Sequence, residues 1–159
     1  MFLNTLPQPT AKLLEEMKNH TWLKKFYLAG GTALALQYGH RKSIDLDWFI
    51  QNNFSTKVLL VKLKKHGKFN LLNEEKNTVE GYLNEVKLSF ITYPYKLVQK
   101  KIKFSDNVYL ASYQDIALMK LSAISQRNTK KDFIDLYWYL HKEKTDLVSL
   151  FNKMKIKFS

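Results

Sequence analysis

Asp45 and Asp47 stand one residue apart in the stretch FYLAGGTALALQYGHRKSIDLDWFI, Phe26 to Ile50, within the most hydrophobic strand-like run of the sequence. Alternate residues of a strand point the same way, with Cα atoms about 6.5 Å apart. Two carboxylates so placed repel each other and resist ionising together. A divalent cation between them reverses the sign of that interaction, because the ion becomes the largest local charge. Hard oxygen ligands suit Mg²⁺ (or Mn²⁺), and Mg²⁺ completes its shell with water and substrate phosphates. Two such ions about 3.5–4 Å apart can clamp the attacking and leaving oxygens of a phosphoryl or nucleotidyl transfer. Gly30 and Gly31 supply the complement. They end an apolar strand and open a helix near Thr32, where the missing Cβ atoms let a phosphate approach the backbone. The helix's first amides and its partial positive charge favour an anion there.

The elements that position these groups follow from periodicity. Thr10 reads as the N-cap of a helix reaching Asn19, with Leu13, Leu14 and Met17 inward. Residues 26–31 form a strand running into the glycine turn, and 32–39 a helix stopped by Gly39. Residues 43–50 form the next strand, with Ile44, Leu46 and Trp48 on one face and Ser43, Asp45 and Asp47 on the other. Ser55 caps a helix whose stripe is Val58, Leu59 and Leu63. Strands follow at 68–72, 78–83 and 86–93, with Asn84-Glu85 a tight turn. Helices then cover Tyr113–Gln126 and Lys130 to about His141, the second with Phe133, Leu136, Tyr137 and Leu140 at helical spacing. The tail to Ser159 is one more short basic helix. The order argues an α+β fold, a mixed, mostly antiparallel sheet backed by helices. A single domain of 159 residues is expected, its sheet-containing core at about 20–95 and its C-terminal helices at about 110–159.

Charge points to the partner. Twenty-six Lys and Arg against 14 Asp and Glu give a formal net charge of +12. One reading is a general preference for lysine on solvated faces; the other is attraction to phosphate polyanions such as nucleotides or RNA. Zero cysteines exclude disulfides and cysteine–zinc sites and fit a reducing cytoplasm. No apolar run approaches 18 residues and the N-terminus lacks a secretory pattern, so a cytoplasmic protein with no membrane association is expected. There is no P-loop lysine, and His20, His40, His66 and His141 show no metal-ligand spacing. The ten phenylalanines and nine tyrosines read as core and sheet packing.

A hydrophobic strand, Gly30-Gly31, a short spacer and Asp45-Leu46-Asp47 together resemble the first signature of the DNA polymerase β-like nucleotidyltransferase superfamily. GGTALALQYGHRKSIDLD followed much later by DIALMKLSAISQRNTKKDFIDLYWYL resembles, more narrowly, the AbiEii/AbiGii nucleotidyltransferase toxins. The two blocks bracket the chain from Gly30 to Leu140. The resemblance implies a polymerase β-like fold and a toxin of a toxin–antitoxin system with a cognate antitoxin. It also implies Mg²⁺-dependent transfer of a nucleotide from an NTP to an acceptor hydroxyl, with tRNA the favoured acceptor. Asp45 and Asp47 would hold metal, and Gly30, Gly31 and Thr32 would cradle the β- and γ-phosphates. Lys120 with Arg127 would stabilise the leaving pyrophosphate.

The residues of the second block keep two readings. Lys120, among Ile116, Ala117, Met119, Leu121 and Ile124, either snorkels outward or aims into a site. Thr129-Lys-Lys-Asp132 resembles a capping box, so Asp132 organises either the helix or the site. Asp135 is one turn on, within reach of Arg127, Lys130 or Lys131. Arg41 either touches phosphate or holds a carboxylate, and His40 reads as a helix-end residue. One departure stands out. The superfamily's third carboxylate, from a later strand, falls on Ser89, leaving Glu85 on the same alternation or Glu80 on the neighbouring strand to replace it. Rival readings are nucleotidylation of a protein or small molecule, and a degenerate member that binds nucleotide or RNA without turnover.

Overall fold

Leu46, Trp48 and Ile50 alternate along one short strand and are buried, while Asp47 and Phe49 between them face the other side. That strand is the centre of the molecule. A computed structural model describes residues 1–127 and 129–159. The described elements run α1 (Gln8–Met17), β1 (Tyr27–Ala29), α2 (Gly30–Tyr38), β2 (Leu46–Ile50), α3 (Thr56–His66), β3 (Phe69–Glu75), β4 (Thr78–Leu83) and β5 (Val86–Thr92). They continue with β6 (Ile102–Lys103), β7 (Tyr109–Leu110), α4 (Tyr113–Gln126), α5 (Lys130–Lys142) and α6 (Leu147–Phe158). The sheet order is β3-β4-β5-β2-β1-β7-β6. Among the described residues only the β2–β5 and β1–β7 pairs are parallel, so the expected mixed, mostly antiparallel α+β architecture is found.

Register matters more than order for the site. Ala29 pairs with Asp47, Asp47 with Ser89, and Ser89 with Glu80, a row across four strands. Directly paired residues share a face of the sheet. The opposite face carries Trp48 and Phe90, stacked at 6.2 Å, in one apolar cluster with Leu13, Leu14 and Met17 of α1 and Leu59 and Leu63 of α3. A second cluster joins α4, α5 and α6 through Leu118, Leu121, Leu136, Tyr139 and Leu150, and Tyr38 packs against both. Ser55, Ser112 and Asp146 cap α3, α4 and α6. Asn84 and Glu85 both have positive φ, the two-residue turn that matches strand twist between β4 and β5.

Several expected placements shift. The first helix begins at Gln8 behind Pro7, and Thr10 lies inside it, donating from Oγ1 to the Ile44 carbonyl at 2.9 Å. That bond holds residue 44 outside the sheet. β2 therefore starts at Leu46, Ile44 is 52% exposed, and Asp45 immediately precedes the strand instead of lying within it. Val58 points to solvent while Leu59 and Leu63 are buried. The inward face of α5 is turned by one residue. Phe133 and Tyr137 are exposed, and Asp132, Asp135, Leu136 and Tyr139 are buried at the same i, i+3, i+4, i+7 spacing. Two aspartates replace two aromatics on the buried side, which demands cations opposite them.

Candidate active site

Asp47 faces a cleft of about 570 Å³ between the sheet and α4, and Asp45 lines the same cleft. A volume of that size suits a small ligand. Ser89 donates from Oγ to Asp47 Oδ1 at 2.6 Å. Gly30 presses on the same carboxylate: its φ is +66°, and a Cβ added there would lie 2.6 Å from Asp47 Oδ2. No other residue type fits that backbone without moving the acid. Burial pushes the Asp47 carboxyl above its ordinary pKa, and the negative charge of Asp45 pushes the same way. The Ser89 hydrogen bond, Lys120 and Lys87 act against it.

Asp45 is fixed by its backbone. Thr32, buried at the first turn of α2, donates from Oγ1 to the Asp45 carbonyl and lies 2.8 Å from the Ser43 hydroxyl, which supplies the other bond. Gly31 leaves room for Arg41, whose guanidinium a Cβ would overlap. The glycine turn, the acid strand and the Arg41 loop are thereby packed into one another.

Across the cleft, Asp132 and Asp135 of α5 gather the cations. Lys120 Nζ on α4 sits 2.7 Å from Asp132 Oδ1 and 2.8 Å from Asp135 Oδ2. Arg41 grips Asp135 with both Nε (2.7 Å) and Nη2 (2.8 Å), a bidentate pair. His40 Nε2 adds a contact at 2.7 Å to Asp135 Oδ1. Arg127 Nε reaches Asp132 Oδ2 at 3.1 Å, and Thr129 Oγ1 bonds the same oxygen. Burial alone would raise the pKa of Asp135, but Arg41, His40 and Lys120 outweigh it and hold the carboxyl well below the usual range. Asp132 is lowered in the same manner by Lys120, Thr129 and Arg127. Within this cluster Lys120, Arg41 and Arg127 face the two carboxylates Asp132 and Asp135.

Residues 12–158 match the family described as Nucleotidyl transferase AbiEii toxin, Type IV TA system. The chain belongs to the AbiEii nucleotidyltransferase toxin family. A similar relative is an uncharacterized protein of Aquifex aeolicus (strain VF5). It is 35% identical over 159 residues, covering 98% of this chain and 77% of that protein. Among solved structures, one from H. pylori, classed provisionally as a nucleotidyltransferase, superposes with a TM-score of 0.55 at 20% identity. The match covers 89% of this chain and 68% of that one, a likeness of fold.

Within this AbiEii chain, Gly30, Gly31, Arg41, Asp45, Asp47, Ser89, Lys120, Arg127, Lys131 and Asp132 all border one cleft. Thr32 does not: it is buried and spends its hydroxyl on residues 43 and 45. Arg41 holds a carboxylate, the second of its two readings. Lys120 is no bare cation, since two of its three N–H donors go to aspartates. The capping box at Thr129 does not form. Among the described residues no side chain caps that helix end, and the Thr129 hydroxyl and Asp132 carboxylate bond each other. His40 follows the Gly39 cap at the end of α2 and is also a buried partner of Asp135. Glu85 lies in the β4–β5 turn, outside the cleft, so it cannot stand in for Ser89. Glu80 lines the cleft, but two strands from Asp47, about 10 Å. Among the described residues no three His, Cys, Asp or Glu side chains are grouped to hold a metal. Asp45 and Asp47, both lining the cleft, are hard oxygen donors of the number that Mg²⁺ commonly takes from a protein. Sequence reasoning missed the aromatic end of the cleft, Tyr93, Tyr95 and Phe158; alternation from Ser89 through Ile91 could have traced the two tyrosines, whereas Phe158 comes from α6.

Proposed function

We propose that this protein is a toxin-type, Mg²⁺-dependent nucleotidyltransferase that moves a nucleotide from an NTP to an RNA hydroxyl, tRNA being the favoured acceptor. The observation that carries the reading is the contact of the Gly30 backbone with Asp47 in a cleft that also holds Asp45 and Lys120. Asp45 and Asp47 would hold Mg²⁺, which when bound neutralises phosphate charge and orients the oxygens in line. Every other contribution comes from the chain. Gly30 and Gly31, at the first turn of α2, line the cleft and would offer their amides to phosphate oxygens. The remaining N–H of Lys120 and the guanidinium of Arg127, whose side chain is 64% exposed, stabilise the charge on departing pyrophosphate. Asp132, Asp135 and Arg41 position those cations. The acceptor hydroxyl attacks the α-phosphorus as pyrophosphate leaves, and Glu80, on the far side of Ser89, takes the released proton. The family's toxin–antitoxin description supports a neutralising antitoxin as partner.

Incubating the protein with each labelled NTP, Mg²⁺ and total tRNA tests this. Label on RNA, lost in the Asp45→Ala/Asp47→Ala variant, supports the reading. A second reading, binding without turnover, rests on Ser89 occupying the third acid's place. It would show as retained NTP with no label transferred. Label on protein would shift the acceptor class.

A further inference from the structure

Past its aromatic end the cleft meets a second cavity, of about 770 Å³, with Tyr95 in the wall of both. Lys25, Lys96, Lys101, Asn52 and Asn53 line it, and no carboxylate is among its described lining residues. Tyr95 is 41% exposed and braced edge-on by Phe158 at 4.7 Å and Tyr93 at 5.0 Å. The rim carrying these groups has little regular secondary structure, yet it is fixed. Asp115, fully buried at the start of α4, accepts from the backbone N–H groups of Val98 (2.8 Å) and Gln99 (3.1 Å). It also pairs with buried Lys157 of α6 at 2.8 Å, and Lys157 donates in turn to the Lys96 carbonyl at 2.9 Å. One buried ion pair thus holds both the lysine-bearing rim and the end of α6 next to Phe158. A rigid channel that pairs lysines with an exposed aromatic ring is how single strands are bound without base readout.

We infer that this second groove is the entry path of the acceptor, the single-stranded end of an RNA. Its phosphates follow Lys25, Lys96 and Lys101, and a base near its end stacks on Tyr95. The terminal hydroxyl then arrives beside Asp45 and Asp47. The inference rests on the nucleotidyltransferase reading above and adds where the acceptor runs. An NTP alone leaves this groove unexplained, because its phosphates belong at the Gly30 end of the cleft.

The test is fluorescence anisotropy of a 5′-labelled RNA of about eight nucleotides, a typical single-strand site size, over a salt series. The Lys25→Gln/Lys96→Gln/Lys101→Gln variant should lower the slope of log affinity against log salt by about 2, about 0.7 for each lysine removed. A control carrying Lys57→Gln/Lys64→Gln/Lys65→Gln, exposed positions on α3, loses the same charge and should keep the wild-type slope. Tyr95→Ala should weaken binding about 10-fold with the slope unchanged. Equal slopes in the groove and control variants, or wild-type affinity in Tyr95→Ala, overturn the inference. Wild-type protein that fails to bind the RNA while still binding NTP overturns it and leaves the metal and phosphate site standing. Loss of NTP binding as well would bring down both.

Discussion

At Gly30 the backbone and a carboxylate share a few ångströms, and only the absence of a side chain lets both be there. Gly30→Ala adds a Cβ 2.6 Å from Asp47 Oδ2 at a φ of +66°. The left-handed backbone alone is unfavourable by about 1–2 kcal/mol for an alanine, and the collision moves Asp47 besides. Misplacement of a reacting group by about 1 Å can lower a rate about 100-fold, so transfer from labelled NTP should fall by about that factor. Circular dichroism should still report a folded chain. A variant with undiminished transfer would remove Asp47 from the chemistry. Asp135 makes a different demand. Its carboxylate, with no solvent access, bonds Lys120, Arg41 and His40 at once. Asp135→Ala leaves Arg41 without its carboxylate and Lys120 with Asp132 alone, and removing one partner of a buried pair typically lowers stability by about 3–5 kcal/mol. Urea unfolding should show a loss of that size; a loss below about 1 kcal/mol would mean that the cations find water instead.

Among the elements, α5 shows what the sequence could and could not reveal. Its helical period, its length and its place after α4 were all legible, as were the strand carrying Asp47 and the β4–β5 hairpin. The facing direction was not. Apolar residues at 133, 136, 137 and 140 gave one stripe, whereas the buried stripe is 132, 135, 136 and 139. Hydrophobic periodicity assumes that the interior is apolar, and here it contains Lys120 and Arg41, so two aspartates turn inward and two aromatics outward. Long-range partners such as Arg41 and Asp135, 94 residues apart, carry no local signal. The face assignment is testable by truncation. Leu136→Ala should destabilise by about 2–5 kcal/mol, while Phe133→Ala, half exposed, should stay within about 0.5 kcal/mol. The reverse ranking in thermal or urea unfolding would restore the aromatic stripe.

For the molecule as a whole, the formal charge of +12 and the buried carboxylates meet in its response to acid. Asp132 and Asp135 are both held below the ordinary carboxylate pKa by their cations. In the unfolded chain they return to about 3.9. As pH falls through that value the unfolded state takes up protons that the folded state refuses, so stability decreases with falling pH. Their stabilising contribution is complete above about pH 5 and is lost progressively as the pH drops toward the depressed folded values. Protonation of the other carboxylates meanwhile raises an already positive net charge, and self-repulsion acts in the same direction. The two causes separate by mutation and salt. Asp135→Asn starts from a lower stability at neutral pH but should show a flatter curve between about pH 5 and pH 3, because one of the refusing groups is gone. Added salt screens the self-repulsion while leaving the buried pairs nearly untouched. Parallel curves for the variant and wild type, in urea midpoints taken across that range at high salt, would show that surface charge and not the Asp135 cluster governs acid unfolding.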